Sequence, residues 1–298
     1  MLQDVGLLFP LLTLLACGEP APAADSASAP ASWDPSLDPA ARAAPGDAAL
    51  ATALQSVFAE SPTWSAASVL RAFDAAMVGA NPVCPGFVGQ GAAGGWIADC
   101  TSEVGTAYDG YLYTLSDGPD ARALWGAASL ALAAGTTMRL AGSADDRTDE
   151  EQGNIVMRAQ VRGSFQVVPG PGGDPSRWGW LASGHHLSLT VQREVLQDGT
   201  HVVQFDGGVG GLDDGVLTAV DFLQTRVTPV GPGCAAAEPS GSVALRDTAG
   251  DWYLLEFDAP PLGMAAGRGC DGCGVLTRPD GTTGSLCLDA VGALGEAS

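Results

Sequence analysis

Seven cysteines and three histidines carry most of the metal-binding and nucleophilic chemistry that this sequence offers. His185 and His186 are adjacent in a segment predicted as a strand, so their rings are expected on opposite faces, unable to share one metal ion. His201 is expected opposite Leu196 across a turn centred on Asp198 and Gly199, far along the ladder from His185. We therefore predict dispersed polar histidines and no metal site.

Short motifs of the common enzyme classes do not occur in the sequence. The chain has no G-x-S-x-G nucleophile elbow, no H-E-x-x-H, no P-loop and no G-x-G-x-x-G between a strand and a helix. We therefore predict no catalytic residues and no cofactor, and no residue constellation supports an enzyme.

The charge balance disfavours two classes of partner. Aspartate and glutamate number 34 against 13 basic residues, all of them arginine, and the formal net charge is −21. A nucleic-acid-binding protein needs basic side chains to displace counterions, and an anionic membrane surface attracts basic segments. We expect no nucleic acid and no purely electrostatic membrane contact. Because 46% of the residues are hydrophobic, the chain can bury a sizeable core.

Two segments resemble calcium-binding sequences in part. Residues 207–213 resemble a single nonapeptide of the calcium-binding β-rolls, but the aspartate comes one residue late and such sites need stacked copies. Residues 145–151 are strongly acidic but lack the spacing of an EF-hand. We predict a flexible hairpin loop for the first segment and a solvated loop for the second.

Four aromatic residues allow a different binding chemistry. Trp178, Trp180, Trp252 and Tyr253 lie in the β-rich part of the chain, where they either line a carbohydrate or lipid site or fill the core. Since aromatic side chains bury a large apolar area, we expect these four in the core.

An apolar run precedes the first cysteine. Residues 7–16 are too few to span a bilayer, and they end in Leu14-Leu15-Ala16-Cys17. This tetrapeptide resembles the lipobox of bacterial lipoproteins. The resemblance implies a signal peptide over residues 1–16, cleavage before Cys17 and attachment to the membrane through lipid on the Cys17 thiol.

The neighbouring residues bear on this resemblance. The n-region carries Asp4 and no basic residue, and an ordinary secretory signal with a chance cysteine is the alternative. In the lipoproteins that the sequence resembles, an aspartate after the lipidated cysteine often signals retention at the inner membrane. Gly18 therefore implies the outer membrane.

Residues 17–45 are rich in proline, alanine and serine. Such a segment buries too little apolar surface to offset its ordering entropy, so we predict an extended, lipid-anchored tether. Residues 46–298 show no break between domains and are predicted as a single β-rich domain with N-terminal helices within residues 46–80.

If Cys17 carries lipid, six cysteines remain, and an even number in an exported chain predicts disulfides. Six cysteines allow 15 pairings. Cys84 and Cys100 flank a glycine-rich segment, and Cys273 and Cys287 are equidistant from Asp280 in a predicted hairpin turn. We predict these two bonds, which leaves Cys234 for Cys270. A four-sulfur zinc site built from Cys234, Cys270, Cys273 and Cys287 is the alternative.

Period-two alternation over residues 155–168 is the dominant structural signal. Apolar and small residues occupy its odd positions, and polar residues occupy most of its even positions. A strand with one buried and one exposed face has this pattern. Shorter alternating segments joined by tight turns follow most of the chain beyond residue 100.

Residues 47–60 are predicted as a helix with an apolar side formed by Leu50, Leu54, Val57 and Phe58. Ser61 and Pro62 predict the start of a second helix, which is expected to end at Gly79. We predict a mainly β fold: a long-stranded antiparallel meander sheet, either a curved sheet or a partial barrel, with an N-terminal helical hairpin packed on it.

Two functions fit these expectations. The first is a cell-envelope lipoprotein with a non-enzymatic structural or binding role on an extended tether. The second is a carrier that holds a lipid or other apolar ligand against the concave face of the sheet, at Met157, Val161, Phe165 and Leu189. Ala159 and Gly163 share that face and permit close approach by a helix, which favours the first function. The partner is then an envelope protein or an apolar ligand, and the oligomeric state stays open.

Overall fold

One antiparallel sheet dominates the computed structural model, which describes residues 44–78, 80–90, 93–116, 121–227, 239–258 and 272–290. In these residues the sheet has 13 strands, and their order in space is their order in the chain. Every neighbouring pair whose register is given is antiparallel, so the sheet is a meander. The predicted fold class is confirmed.

The helices and strands have the following bounds. The helices are α1 Asp47–Glu60, α2 Ala66–Met77 and α3 Trp180–Ser183, and 3₁₀ turns cover Ser61–Thr63 and Pro175–Trp178. The strands are β1 Val88–Gln90, β2 Ala93–Thr101, β3 Ala107–Ser116, β4 Ala121–Ala131, β5 Thr137–Glu151, β6 Asn154–Val168, β7 His186–Val195, β8 His201–Gly210, β9 Leu217–Val227, β10 Ser240–Asp247, β11 Trp252–Asp258, β12 Cys273–Thr277 and β13 Thr283–Cys287.

Helix α1 has the predicted bounds, but α2 begins later than predicted. The Ser61 hydroxyl donates a hydrogen bond back to the Phe58 carbonyl at 2.7 Å, so it does not cap the following turn. A 3₁₀ turn intervenes, and α2 starts at Ala66 after an extended Ser65. Helix α2 ends at Met77, and the predicted stop at Gly79 lies outside the described residues.

The inner face of the sheet, defined as the side that packs against α1 and α2, holds one hydrophobic core. Trp96 of β2 and Leu286 of β13 belong to the same buried cluster as Phe58 of α1. A flat sheet of 13 strands would spread over about 58 Å at roughly 4.8 Å per strand, too far for one shared core. The sheet therefore curves around the helices. Its other side is called the outer face below.

Strand β6 shows the predicted alternation except at its beginning, where the odd-numbered Ile155 is 50% exposed and the even-numbered Val156 is buried. Val156 is on the outer face, yet only 1% of it is exposed. It lies beside Glu194 of β7, which in turn faces the buried Val202 of β8. Asn154 donates to the Glu194 carboxylate at 2.8 Å, and Arg226 lies 3.8 Å from it. Val156 and Val202 are buried but do not belong to the main core cluster.

Residues 145–151 are not the solvated loop that their acidity predicts. They complete β5, and the chain turns only at residues 152–153. Arg158 on the paired strand lies 3.1 Å from Asp149 and 2.7 Å from Glu151. Opposite charges on neighbouring strands stabilise the pairing, which explains how acidic residues extend this ladder.

The prediction of a flexible loop for the glycine-rich residues 207–213 is also wrong for most of the segment. Residues 207–210 form the second half of β8 and pair with both β7 and β9. Phe205 and Val209 are buried on the inner face, so the apolar alternation continues through the glycines. The turn begins only after Gly210.

Gly163 is expected to permit close approach by a helix, but its close neighbour in the structure is the adjacent strand β5. A Cβ added to Gly163 would meet three atoms first, and all belong to the backbone of Ala141 and Gly142 on β5. The φ angle of Gly163 is +136°. The neighbouring strand, and not a helix, therefore requires the missing side chain.

In the described residues, no helix is long and apolar enough to cross a membrane.

Candidate binding groove on the outer face of the sheet

The predicted ligand face lies mostly inside the core. Val161, Phe165 and Leu189 are each at most 2% exposed. Met157 shares their face but is only partly buried, because it lies near the sheet margin opposite Arg193. These side chains do share one face of the sheet, as predicted.

Helices fill the same side of the sheet. The Phe58 ring of α1 packs edge-on against Phe205 and Phe222, with ring centres 6.0 and 5.6 Å apart. At the other end of the helical pair, the Tyr108 hydroxyl donates to the Ala76 carbonyl of α2 at 2.8 Å. The helices are thus part of the core.

An open groove of about 720 Å³ lies over strands β6 to β9 on the outer face. Its side-chain walls are Ser164, His186, Ser188, Asp221 and Trp252. Its floor includes Gly208, Gly210 and Ala219.

The register of the sheet assembles this groove. Ser164, His186, Gly210 and Ala219 are successive partners across four strands. Ser188, Gly208 and Asp221 form the adjacent row. Because the side chains of strand residues two apart point to the same face, both rows lie on the outer side, alternating with buried inner residues such as Leu187, Val209 and Val220.

The glycine floor keeps the groove open. A Cβ added to Gly210 would meet no atom within 4 Å. A Cβ added to Gly208 would lie 3.3 Å from Oδ1 of Asp221, so that carboxylate extends over the bare backbone of β8. The register shift between Phe205 and Gly207 marks a bulge where this part of the strand begins.

Asp221 supplies the groove with a partly desolvated carboxylate. Burial raises the pKa of Asp221 above its ordinary value, and the nearby negative charge of Asp206 raises it further. Among the described residues, the side chains of Asp221, Ser164 and Ser188 form no hydrogen bond. These groups are therefore available to a ligand.

Trp252 supplies an exposed ring. It is 48% exposed, and the guanidinium of Arg246, its cross-strand partner, lies 6.0 Å from the ring centre. This cation–π contact favours one orientation of the indole.

The groove offers hydrogen bonding and stacking. Ser164 lies opposite His186, but no hydrogen bond joins the two side chains. An activated serine nucleophile needs such a bond to its base. The described residues also contain no group of three or more histidine, cysteine or acidic side chains placed to hold a metal ion.

A second aromatic cluster lies on the outer face near the β1 edge. The rings of Tyr113 and Trp125 stack at 5.9 Å, and Tyr111 lies 6.0 Å from Tyr113. Tyr113 also covers Gly95, its cross-strand partner, at which an added Cβ would meet the tyrosine ring. Covering a glycine in this way stabilises a strand, so the cluster has a structural role already.

The prediction that four aromatic residues lie in the core is correct for Trp180 and Tyr253, which are at most 2% exposed. Trp178 is partly buried against the same core. For Trp252 the prediction is wrong. Adjacent residues of a strand face opposite sides, and since Tyr253 points inward, Trp252 points outward.

The histidines are dispersed over the two sides of the structure. His185 is buried immediately before β7, whereas His186 is exposed, which confirms that the two rings diverge. His201 pairs with Val195, one residue before the predicted partner Leu196. The reason is a longer loop, closed by the bond from the Leu196 amide to the Thr200 carbonyl.

His185 connects α1 to the sheet. Its Nε2 lies 3.3 Å from Glu60 Oε1 and its Nδ1 lies 3.1 Å from the Gly211 carbonyl oxygen. Burial opposes the charged ring, but the hydrogen bond and charge of Glu60, together with the Gly211 carbonyl, outweigh it and raise the pKa of His185. The hydrogen bond from His185 in turn lowers the pKa of Glu60.

The two predicted disulfides that lie within the described residues are both present. Cys84 is bonded to Cys100, and Cys273 is bonded to Cys287 directly across the β12–β13 hairpin. A four-sulfur zinc site would need Cys273 and Cys287 as separate thiolates, so this alternative is incompatible with the structure. Cys17, Cys234 and Cys270 lie outside the described residues.

Sequence reasoning missed His186 and Asp221 as groove residues. The available signal was the glycine run after Phe205, which keeps its inward apolar positions and leaves its outward positions bare. Comparisons with protein-family models, with curated proteins and with solved structures return no match for this chain.

Proposed function

We propose that this chain is a non-enzymatic envelope lipoprotein with a binding role on the outer face of its sheet. Lipid on Cys17 anchors it to the outer membrane, and residues 17–45 hold the folded domain away from the bilayer. The ligand or partner protein binds at the groove over β6 to β9.

One observation carries this proposal. The inner face is filled by α1 and α2, whereas the outer face has an open groove with an exposed indole and unpaired polar groups. Binding sites are concave and combine apolar surface with a few placed polar groups. The outer groove is shallow and open, and its lining has this combination of apolar surface and placed polar groups.

Metabolic labelling with radioactive palmitate tests the anchor. We expect incorporation into the full chain and none into Cys17→Ser. The matched variant Gly18→Asp should keep its label but shift from the outer-membrane to the inner-membrane fraction. Equal labelling of the Cys17→Ser variant would contradict the anchor.

Solvent extraction tests the competing carrier function. That function needs a ligand against Val161, Phe165 and Leu189, which are already packed in the core. The full chain with Cys17→Ser, purified without detergent, is extracted and analysed by mass spectrometry. We expect no stoichiometric lipid, and one bound lipid per protein would establish the carrier instead.

A further inference from the structure

We infer that the groove over β6 to β9 binds a neutral oligosaccharide, with Trp252 as its stacking surface. The inference rests on the proposed function, because it names a ligand for the face that the proposal makes the binding surface.

The shape of the groove suits a flat, extended ligand. Its volume of about 720 Å³ falls within the roughly 300–1,000 Å³ typical of small-molecule sites. Gly208 and Gly210 have no side chains, and the space above Gly210 is empty to 4 Å from an added Cβ. A sugar ring can therefore lie close to the backbone of β8.

Trp252 meets the apolar requirement of a sugar. A pyranose ring presents axial C–H groups on one face, and these carry partial positive charge. The face of an indole is negative because of its quadrupole and attracts such groups. Trp252 is 48% exposed while its neighbour Tyr253 is buried, so the indole is available at the groove wall.

The remaining walls meet the polar requirement. The Asp221 carboxylate accepts hydrogen bonds from sugar hydroxyls, and the hydroxyls of Ser164 and Ser188 both donate and accept. Those three side chains have no partner among the described residues. The His186 ring is exposed beside them. These groups line an open groove, where a hydroxyl-rich ligand can take the place of water as their hydrogen-bond partner.

Charge distinguishes a neutral sugar from an acidic one. The chain has a formal net charge of −21, and Asp206 lies close enough to Asp221 to raise its pKa. A uronate, sulfate or phosphate group would meet this negative potential. Two described arginines lie beside the groove: Arg246, which already contacts Trp252, and Arg162, which lies opposite Ser188 and offsets only part of this negative charge.

An extended peptide is a poorer fit. Peptides that bind sheets usually add a strand at an open edge, where backbone groups are unpaired. Strands β7 and β8 are paired on both sides, so the groove offers a peptide no backbone hydrogen bonds.

Isothermal titration calorimetry tests the inference on the full chain with Cys17→Ser, free of sugar-based detergents. The probes are cellohexaose, xylohexaose, maltohexaose and laminarihexaose, with hexagalacturonate as the acidic comparison. We expect at least one neutral hexasaccharide to bind with a Kd on the order of 1 mM or tighter. Hexagalacturonate should bind more weakly than that probe.

Three variants locate the site. Trp252→Ala should weaken binding at least about tenfold by loss of stacking. Gly210→Leu should weaken it similarly by filling the floor, and its melting temperature should stay close to that of the parent because an added Cβ meets nothing within 4 Å and the rest of the side chain enters the open groove. Trp125→Ala is the control, since that indole is 43% exposed on the same face but outside the groove, and its affinity should be unchanged.

Several results would overturn the inference. They are binding of none of the four neutral probes, equal or tighter binding of hexagalacturonate, or equal loss of affinity in Trp125→Ala and Trp252→Ala. None of these would alter palmitate labelling or lipid extraction, so failure of the sugar site is distinguishable from failure of the proposed function.

Discussion

Gly142 and Gly163 lie directly opposite each other in the β5–β6 ladder, and a Cβ added to either would meet the backbone of the other strand. Their φ angles are +142° and +136°, a region that other residues rarely adopt. Glycines placed in this way let a sheet bend sharply. Helix α2 packs against the same two strands, β5 and β6, on the inner face.

Replacing Gly163 with leucine should therefore destabilise the protein. We expect overpacking to cost on the order of 1–3 kcal/mol, and the positive φ to add about 1–2 kcal/mol. Urea unfolding followed by circular dichroism measures the loss.

Gly210→Ala is the matched control for that variant. It also lies in a strand, but its added Cβ meets nothing within 4 Å, so its stability should stay within about 0.5 kcal/mol of the parent. If Gly163→Leu unfolds at the same urea concentration as Gly210→Ala, the backbone contact across β5 and β6 does not limit side-chain size.

The strand order and faces follow from sequence because they depend on local pattern. Alternation in β6 and the turn at Asp198 and Gly199 specify which residues face inward and which strands pair. The role of Gly163 does not follow in the same way. That role depends on Gly142 lying opposite Gly163 in the β5–β6 ladder. The register of this ladder could not be predicted, because the acidic residues at the end of β5 were assigned to a loop and the strand was expected to be shorter.

The groove is harder still to derive from sequence. Its walls come from β6, β7, β9 and β11, so predicting it needs the register of several successive ladders. Small errors in the predicted register accumulate from one ladder to the next. His201 is an example, because its cross-strand partner is Val195 and not the predicted Leu196. A one-residue slip moves every side chain to the other face.

Tyr253 and Asp247 form a buried hydrogen bond whose loss should be measurable. The Tyr253 hydroxyl donates to Oδ2 of Asp247 at 3.1 Å, while Oδ1 accepts from the amides of Ala249 and Asp251. Tyr253→Phe removes one donor from a carboxylate that is 1% exposed. We expect a loss of about 1–3 kcal/mol by urea unfolding.

Tyr113→Phe is the control, because it removes a tyrosine hydroxyl that makes no hydrogen bond to another described residue. Its ring is only partly buried on the outer face, and its hydroxyl has no hydrogen bond among the described residues. That variant should keep the stability of the parent. Equal losses in the two variants would show that the Asp247 contact contributes nothing specific.

The same contact makes a prediction at alkaline pH. Burial, followed by the hydrogen bond to Asp247, raises the pKa of Tyr253 to about 12. Because the folded pKa exceeds the unfolded one, this contribution to stability is present below about pH 10 and is lost as the pH rises through 12. Phenolate absorbance should include a titration near 12 in the parent, in addition to that of Tyr108, whose pKa burial also raises. The titration of Tyr253 should be missing in Tyr253→Phe.

The His185–Glu60 pair predicts an optimum of stability at mildly acidic pH. The pKa of His185 is raised, so its contribution is complete below the unfolded value of about 6.5 and is lost as the pH rises through the folded value. The pKa of Glu60 is lowered, so its contribution is present above its unfolded value and is lost as the pH falls through the folded one.

Melting temperatures measured from about pH 5 to about pH 9, a range that spans the titration of histidine, test this pair. The parent should lose stability as the pH rises above the unfolded pKa of histidine, whereas His185→Gln should lose less. His201→Gln is the control, because His201 is exposed at the start of β8. A parent and a His185→Gln variant with parallel profiles would contradict the prediction.

The two observed disulfides should differ in where they act. They close loops of similar length, with sequence separations of 16 and 14. A chain-entropy model assigns about 3 kcal/mol to each. Cys273 and Cys287 are also held by the β12–β13 ladder, whereas Cys84 lies outside the strands and the bond connects it to β2.

We expect Cys84→Ala/Cys100→Ala and Cys273→Ala/Cys287→Ala to lose similar global stability in urea. Amide hydrogen exchange should nevertheless accelerate in residues 81–88 of the first variant, and residues 273–287 of the second should stay protected. Loss of protection in the β12–β13 hairpin would show that its disulfide, and not its ladder, holds the two strands together.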